Sequence, residues 1–320
     1  MVFLIFSYLL LFLGSLGILV KSADFLISIT EKLAKKFKIN PFIAGVTLLA
    51  FGTSLPELVT AVISVLTDMQ TVVVGNALGA NIANILLIIG VLAVLNRGLR
   101  SKWNMVKTDL PLLFCSVILF GLVVWDYTIS FYEAIFLMFG AATYVYYLAN
   151  EHRKGISLLS RKFKSKKIKL SGNDFLLMIA STFGIYVGAR LALLSIQNLT
   201  LLFNLVDYSI ISSTLLAIGT TLPELVVSYE AVRKKRFEMA IGNIIGSNVF
   251  NTYMVIGIPT LLAGSLAVSP LMVSIGLPFL VLASLGFLVI ALDNEIHLSE
   301  GMMLLLFYAL YIFKIFMGGL

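Results

Sequence analysis

The sequence is poor in charge and poorer still in the residues that do covalent or redox chemistry. Of its 320 residues only 12% are Asp, Glu, Lys or Arg; there are two histidines and one cysteine. A soluble domain is about half apolar and about a quarter charged, whereas this chain is 60% hydrophobic with a mean hydropathy of +1.03. So few charges cannot cover a water-facing surface of this size, which excludes an ordinary soluble fold. The lone Cys115 excludes an internal disulfide, and its apolar neighbours make it a packing position. His152 and His297 have no metal-ligand spacing, and no nucleophile–base pair stands out, so neither an enzyme nor a resident cofactor is expected. A net charge of +7 would suit nucleic acid, but the basic residues cluster between apolar runs, where contact with membrane lipid accounts for them. No obligate protein partner is evident.

What the chain does have is long uncharged runs, such as 110–124 and 271–292. A membrane span needs roughly 20 apolar residues. Ten segments qualify: 2–33, 41–67, 71–95, 107–125, 130–149, 173–202, 209–232, 237–263, 268–292 and 299–317. The first has no basic region before it and no small-residue cleavage site after it, so it reads as a span and not a signal peptide. The expectation is an all-α integral membrane protein of the cell membrane, with a basic linker at 150–172 between two halves, 1–149 and 173–320. The loops after spans one, three, five and seven hold 20 of the 23 basic residues, and those after spans two, four, six and eight hold none. Basic loops stay cytoplasmic, which puts both termini outside and the linker inside. The acidic loop 293–297 is the one inner loop that does not fit.

Sliding the chain on itself by 167 residues aligns Gly52-Thr-Ser-Leu-Pro-Glu-Leu-Val59 with Gly219-Thr-Thr-Leu-Pro-Glu-Leu-Val226. The same offset pairs Gly75-Asn76 with Gly242-Asn243, Gly79 with Gly246, Asn81 with Asn248 and Asn84 with Asn251, with no gap. The copies lie five spans apart, an odd number, so the second runs the opposite way through the bilayer. This predicts two inverted five-helix repeats.

The Gly-Thr-x-Leu-Pro-Glu motif is a physical anomaly in hydrocarbon. Pro56 has no N–H and clashes with the Gly52 carbonyl, so helices two and seven are expected to be broken, baring carbonyls from Ala50 to Thr53 and near Ala217. Bare carbonyls survive at that depth only where they line a cavity or bind something. With the hydroxyls of Thr53, Ser54, Thr220 and Thr221 and the carboxylates of Glu57 and Glu224, they make a cluster of hard oxygens suited to Ca2+ or Na+. A pair of kinked structural helices would explain one copy poorly and two symmetric copies worse, since intramembrane acids are functional by default. Asn84 and Asn251 add amide oxygens; Asn76, Asn81, Asn243 and Asn248 read as helix-bridging residues. Lys21 and Arg190 read as snorkelling or, for Lys21, pairing with Asp24; Glu230 as pairing with the cluster 233–236; and Asp109 as a cap.

The paired Gly-Thr-(Ser/Thr)-Leu-Pro-Glu and Gly-Asn-x-x-Gly-(Ala/Ser)-Asn-x-x-Asn blocks resemble the two alpha-repeats of the calcium/cation antiporter superfamily, in its prokaryotic sodium/calcium exchanger branch. The resemblance implies Ca2+ held by Glu57 and Glu224 with the Thr53 and Thr220 carbonyls. It implies flanking sodium sites that use the Ala50 and Ala217 backbone and Ser247, and a central ring completed by Asn84 and Asn251. It further implies Na+/Ca2+ exchange by alternating access, in which spans one and six slide past the core. This chain departs from relatives at Ala80, where they offer a serine, and at Asn251, where some have Asp. Proton/calcium exchange, with H+ as counter-ion, is the alternative. The proton-coupled branch, however, carries an acid just after Gly-Asn-Ala, where this chain has Leu78-Gly79 and Ile245-Gly246. A cation channel would need a continuous polar path, and the spans show a single polar layer.

Overall fold

The second helical stretch shows how the sequence starts its helices. The Asn40 side chain accepts a hydrogen bond from the Phe42 N–H at 2.8 Å, and Pro41 occupies the first helical position, where its missing N–H costs nothing. In the computed structural model, which describes residues 2–67, 69–100, 109–159, 171–203 and 208–318, nearly everything is helical. The helices are α1 (Val2–Phe37), α2 (Pro41–Ala44), α3 (Ala50–Leu66), α4 (Thr71–Ile82), α5 (Ile89–Leu95), α6 (Asp109–Val123) and α7 (Phe131–Leu159). There follow α8 (Gly172–Phe203), α9 (Tyr208–Arg233), α10 (Phe237–Phe250), α11 (Ile256–Ala263), α12 (Leu277–Ile290) and α13 (Leu298–Gly318). Eight helical stretches among the described residues are long and apolar enough to cross a membrane, and α6 is a shorter apolar helix.

Single π-helical turns join several of these: Gly45–Leu49 between α2 and α3, Ala83–Ile88 between α4 and α5, and Asn251–Val255 between α10 and α11. They correct the expected helix breaks. Helices α3 and α9 run without interruption through Pro56 and Pro223. Each proline withdraws only one donor, the one that would reach the carbonyl four residues earlier. The irregular turns lie elsewhere, as π-turns of the kind that recur at functional sites.

The stretches α4–α5 and α10–α11 form the buried centre, while α1, α7, α8 and α13 turn Phe6, Leu13, Phe136, Phe183 and Leu306 outward. Outward apolar side chains at this density suit a lipid surface. Cys115 lies on the exposed face of α6 and not in the packing position expected for it. Helix α7 continues to Leu159, so it takes up the first part of the expected linker; residues 160–170 lie outside the described residues.

Ion pairs draw the basic segments together. Lys32 meets Asp174 at 2.7 Å, tying α1 to the start of α8, and Lys234 meets Asp24 at 2.7 Å while Arg236 pairs with Glu31, tying the α9–α10 turn to α1. Asp24 thus pairs with Lys234, and Lys21 instead lies over the Phe25 ring. Glu230 pairs with Arg233 at 2.8 Å. Two short antiparallel strand pairs link loops: β1 (Leu99–Arg100) with β4 (Glu295–Ile296), and β2 (Thr128–Ser130) with β3 (Ser265–Ala267). The first explains the discordant acidic loop, because Arg100 meets Glu295 at 2.8 Å and the acid is matched by a neighbouring base.

Helix α10 crosses the 41–49 segment at backbone distance, which only glycine allows. A Cβ on Gly246 would sit 2.6 Å from the Val46 carbonyl oxygen. Gly246→Ala is therefore expected to lower the unfolding free energy by about 1–3 kcal/mol. Gly286, in α12, has nothing within 4 Å of an added Cβ, so Gly286→Ala should leave stability unchanged or raise it. Thermal unfolding in detergent compares the two directly.

Candidate functional site

Two prolines placed inside helices set Glu57 and Glu224 at matching positions on α3 and α9, one residue after each proline. Both carboxylates are buried, at 0% and 1% exposure, and among the described residues neither is paired with a Lys or Arg. Ser54, one turn before Glu57, donates to Glu224 Oε1 at 3.2 Å, so the two motifs touch. The hydroxyls of Thr53 and Ser247 also lie around the Glu224 carboxylate.

The surrounding hydrogen bonds come in pairs related by the 167-residue offset. Thr53 Oγ1 on α3 donates to Asn243 Oδ1 on α10 at 3.3 Å; at the positions 167 residues away, Thr220 Oγ1 on α9 donates to Asn76 Oδ1 on α4 at 3.1 Å. Asn81 Nδ2 donates to the Asn248 carbonyl at 3.3 Å, and Asn248 Nδ2 returns the bond to the Asn81 carbonyl at 3.2 Å. The π-turn that begins beside Asn84 packs on α9, and the π-turn that begins at Asn251 packs on α3.

Of the expected site residues, Ser54 meets Glu224 and Thr53 meets Ser247. Ala50, Thr53, Ser54, Glu57, Asn84, Thr220, Thr221, Glu224, Ser247 and Asn251 are all buried, and Ala217 lies on α9 one turn before Thr221. Six oxygens among the described residues of this region have no hydrogen-bond partner: Oε1 and Oε2 of Glu57, Oε2 of Glu224, and Oδ1 of Asn81, Asn84 and Asn251; the Asn251 Nδ2 donor has none either. A buried acceptor without a partner costs about 1–3 kcal/mol, more if charged. A hard cation answers such a set directly, because it takes several oxygens at once. Asn76, Asn81, Asn243 and Asn248 bridge helices, as read from sequence.

Two contributors escaped the sequence reading. Ser228 accepts from Asn243 Nδ2 at 3.1 Å, and Thr252 accepts from Asn81 Nδ2 at 3.0 Å. Ser228 was findable, since it stands four residues after Glu224 and so on the same helix face; Thr252 had no comparable signal. The shortest bond in the amide network joins Asn84 Nδ2 to Asn248 Oδ1 at 2.8 Å. A double-mutant cycle of Asn84→Ala and Asn248→Ala, read by unfolding in mixed micelles, should give a coupling of about 0.6–1.7 kcal/mol.

Comparison with known proteins bears on the same residues. A family model described as sodium/calcium exchanger protein matches two stretches, 7–150 and 173–317. The inner membrane protein YrbG of Escherichia coli is 33% identical, over 93% of this chain and 92% of its own length. The sodium/calcium exchanger MaX1 of Methanosarcina acetivorans is 30% identical, over 97% and 98%. A solved structure of the sodium–calcium exchanger NCX_Mj superposes with a TM-score of 0.79 at 26% identity, covering 96% of this chain and 98% of that one. With its buried acid pair, its oxygen-lined layer and these relatives, the chain belongs to the sodium/calcium exchanger family: it is a membrane cation antiporter.

Proposed function

We propose that this protein exchanges Ca2+ for Na+ across the cell membrane by alternating access, binding both ions at one layer between two inverted five-helix repeats. The observation that carries the proposal is the pair of buried, unmatched carboxylates with three further acceptor-rich positions around them. An ionised carboxylate at mid-bilayer costs about 2.5–3.5 kcal/mol or more, and two side by side repel each other. One Ca2+ cancels both charges, and two Na+ do the same. Either load makes the layer neutral, which lets it pass between two sides of an apolar barrier.

In this reading Glu57 and Glu224 are the Ca2+ ligands, with the Thr53 and Thr220 carbonyls. Asn84 and Asn251 turn amide oxygens toward the same ion, and Ser54 and Thr221 orient the carboxylates. Na+ uses the carboxylates together with the Ala50 and Ala217 backbone and Ser247. The reciprocal bonds Thr53–Asn243 and Thr220–Asn76 support the two-fold, as does a family match in two stretches of similar length. Helices α1 and α8 are chiefly each other's neighbours, consistent with a pair that slides against the rest. The ion pairs Lys32–Asp174, Lys234–Asp24 and Arg236–Glu31 gather the basic segments at one end of the helices. That end is the cytoplasmic one by the positive-inside rule, so both termini lie outside and the 150–172 linker inside.

The test is 45Ca2+ uptake into proteoliposomes under an imposed Na+ gradient and, separately, a pH gradient. Uptake is expected with Na+; uptake driven by protons alone would make the protein a proton/calcium exchanger. Glu57→Gln or Glu224→Gln leaves the other acid without its share of the ion, a loss of about 3–5 kcal/mol when a buried charge pair is broken. Initial uptake should fall by about 100-fold or more, and a variant with full uptake would remove that residue from the site.

A further inference from the structure

Helices α1 and α8 meet the motif-bearing helices through the same residue of each half. A Cβ added to Gly52 would lie 3.4 Å from the Leu26 side chain on α1, and one added to Gly219 would lie 2.5 Å from the Leu193 side chain on α8. The two leucines are 167 residues apart, as the two glycines are. Lys32 meets Asp174 at 2.7 Å and joins α1 to α8, a tie internal to that pair. A second set of ties joins α1 to the rest of the molecule. Lys234 Nζ lies 2.7 Å from Asp24 Oδ1 and donates to the Asp24 carbonyl at 2.9 Å and to Ser28 Oγ at 2.8 Å, while Arg236 pairs with Glu31. Three oxygens of α1 therefore hold one ammonium from the α9–α10 turn.

The other half repeats the backbone turn without the ties. The Arg236 N–H bonds the Ala231 carbonyl at 2.8 Å, and 167 residues earlier the Met69 N–H bonds the Ser64 carbonyl at 2.8 Å. Bonds of this kind end a helix in a closed turn. At the same offset Thr67 and Met69 stand for Lys234 and Arg236, and Leu191, Ser195 and Asn198 on α8 stand for Asp24, Ser28 and Glu31. None of these five is charged, and their polar groups bond within their own helices. Thr67 donates to the Ile63 carbonyl at 2.9 Å, Ser195 to the Leu191 carbonyl at 2.7 Å and Asn198 to the Leu194 carbonyl at 2.8 Å. Among the described residues no ion pair joins α8 to the α3–α4 turn.

We infer that Lys234 and Arg236 latch α1 to the α9–α10 turn, and that this one-sided latch biases the protein toward the access state closed at its basic end. The inference rests on the sliding of α1 and α8 proposed above. In an inverted repeat the two access states exchange the roles of the two halves. Contacts common to both halves then cancel, and a contact made by one half alone decides which state is the more populated. The Lys32–Asp174 pair survives the slide, whereas the contacts of Lys234 and Arg236 with α1 break before the ion layer opens at the basic end. The latch is also weak enough to release in every cycle, because the Lys234 and Asp24 side chains are 25% and 33% exposed and water screens them.

The experiment reads the Ca2+ concentration that half-saturates initial 45Ca2+ uptake at each face of the membrane. Na+-loaded everted vesicles present the cytoplasmic face to the medium and right-side-out vesicles present the outer face; vesicles without the protein give the background. The apparent affinity at a face scales with the fraction of molecules open to it. Lys234→Met, which keeps the apolar stem and removes the charge, is expected to lower the half-saturating Ca2+ at the cytoplasmic face by about threefold to fivefold, the effect of one weak ion pair. At the outer face the value should stay level or rise. Asp24→Asn, which keeps the shape of the partner, is expected to act in the same direction. Lys32→Met, which cuts the tie inside the sliding pair, should leave the ratio between the faces at its native value. A change of equal size at both faces, no change at either, or the same shift from Lys32→Met overturns the latch while leaving Na+/Ca2+ exchange intact. Absence of any Na+-driven uptake by the native protein overturns the exchange proposed above and the latch with it.

Discussion

A carboxylate withdrawn from water has to be matched by positive charge, by protons or by hydrogen-bond donors, and Glu57 and Glu224 find too few of any of these in their own chain. Ser54 serves one oxygen of Glu224 at 3.2 Å, and no Lys or Arg among the described residues pairs with either acid. The cost of two such groups in a low-dielectric layer is several kcal/mol, so the surrounding structure has to hold them in place. Much of the architecture answers that demand. The amides of Asn76, Asn81, Asn243 and Asn248 lock α3, α4, α9 and α10 to one another, and Gly246 lets α10 approach the 41–49 backbone closely enough for Ser247 to reach Thr53.

The same demand explains where the helices are irregular. A proline inside α3 or α9 removes one donor and leaves the helix continuous, whereas the regular ladder is interrupted by π-turns at Ala83–Ile88 and Asn251–Val255, which include Asn84 and Asn251. A π-turn inserts one residue and rotates everything after it relative to the preceding turn. The sequence motif that looks most disruptive is therefore the quieter one, and the disruption lies in segments whose composition gives no warning of it. Mid-helix Pro is a local rule; the position of a π-turn is settled by what the neighbouring helices require.

Loop chemistry divides in a similar way. The count of Lys and Arg separates the loops into a basic set and a neutral set, and the ion pairs among residues 24, 31, 32, 174, 234 and 236 follow that division. The acidic loop at 293–297 breaks the pattern when loops are counted one at a time. It stops being an exception once Arg100 is seen to pair with Glu295 across a two-residue strand pair, a contact between segments nearly two hundred residues apart. Cys115 is a smaller case: an apolar sequence neighbourhood identifies a membrane helix but not which of its faces meets lipid.

By itself the sequence determined that the protein is a membrane protein of many helices, that it repeats at 167 residues, and that two acids and their flanking oxygens are the residues to look at. Those conclusions follow from composition, spacing and the cost of charge in hydrocarbon, which act residue by residue and do not depend on who the neighbours are. Only the tertiary structure decided that Thr53 is held by Asn243 and Thr220 by Asn76, that Ser228 and Thr252 belong to the network, and that α3 and α9 stay whole. These are contacts between helices, and a helix's own sequence fixes its faces without fixing which face meets which. The difference at Ala80 needed both. Sequence alone names it as the counterpart of Ser247 at the 167-residue offset, and the folded arrangement shows Ser247 buried beside Thr53.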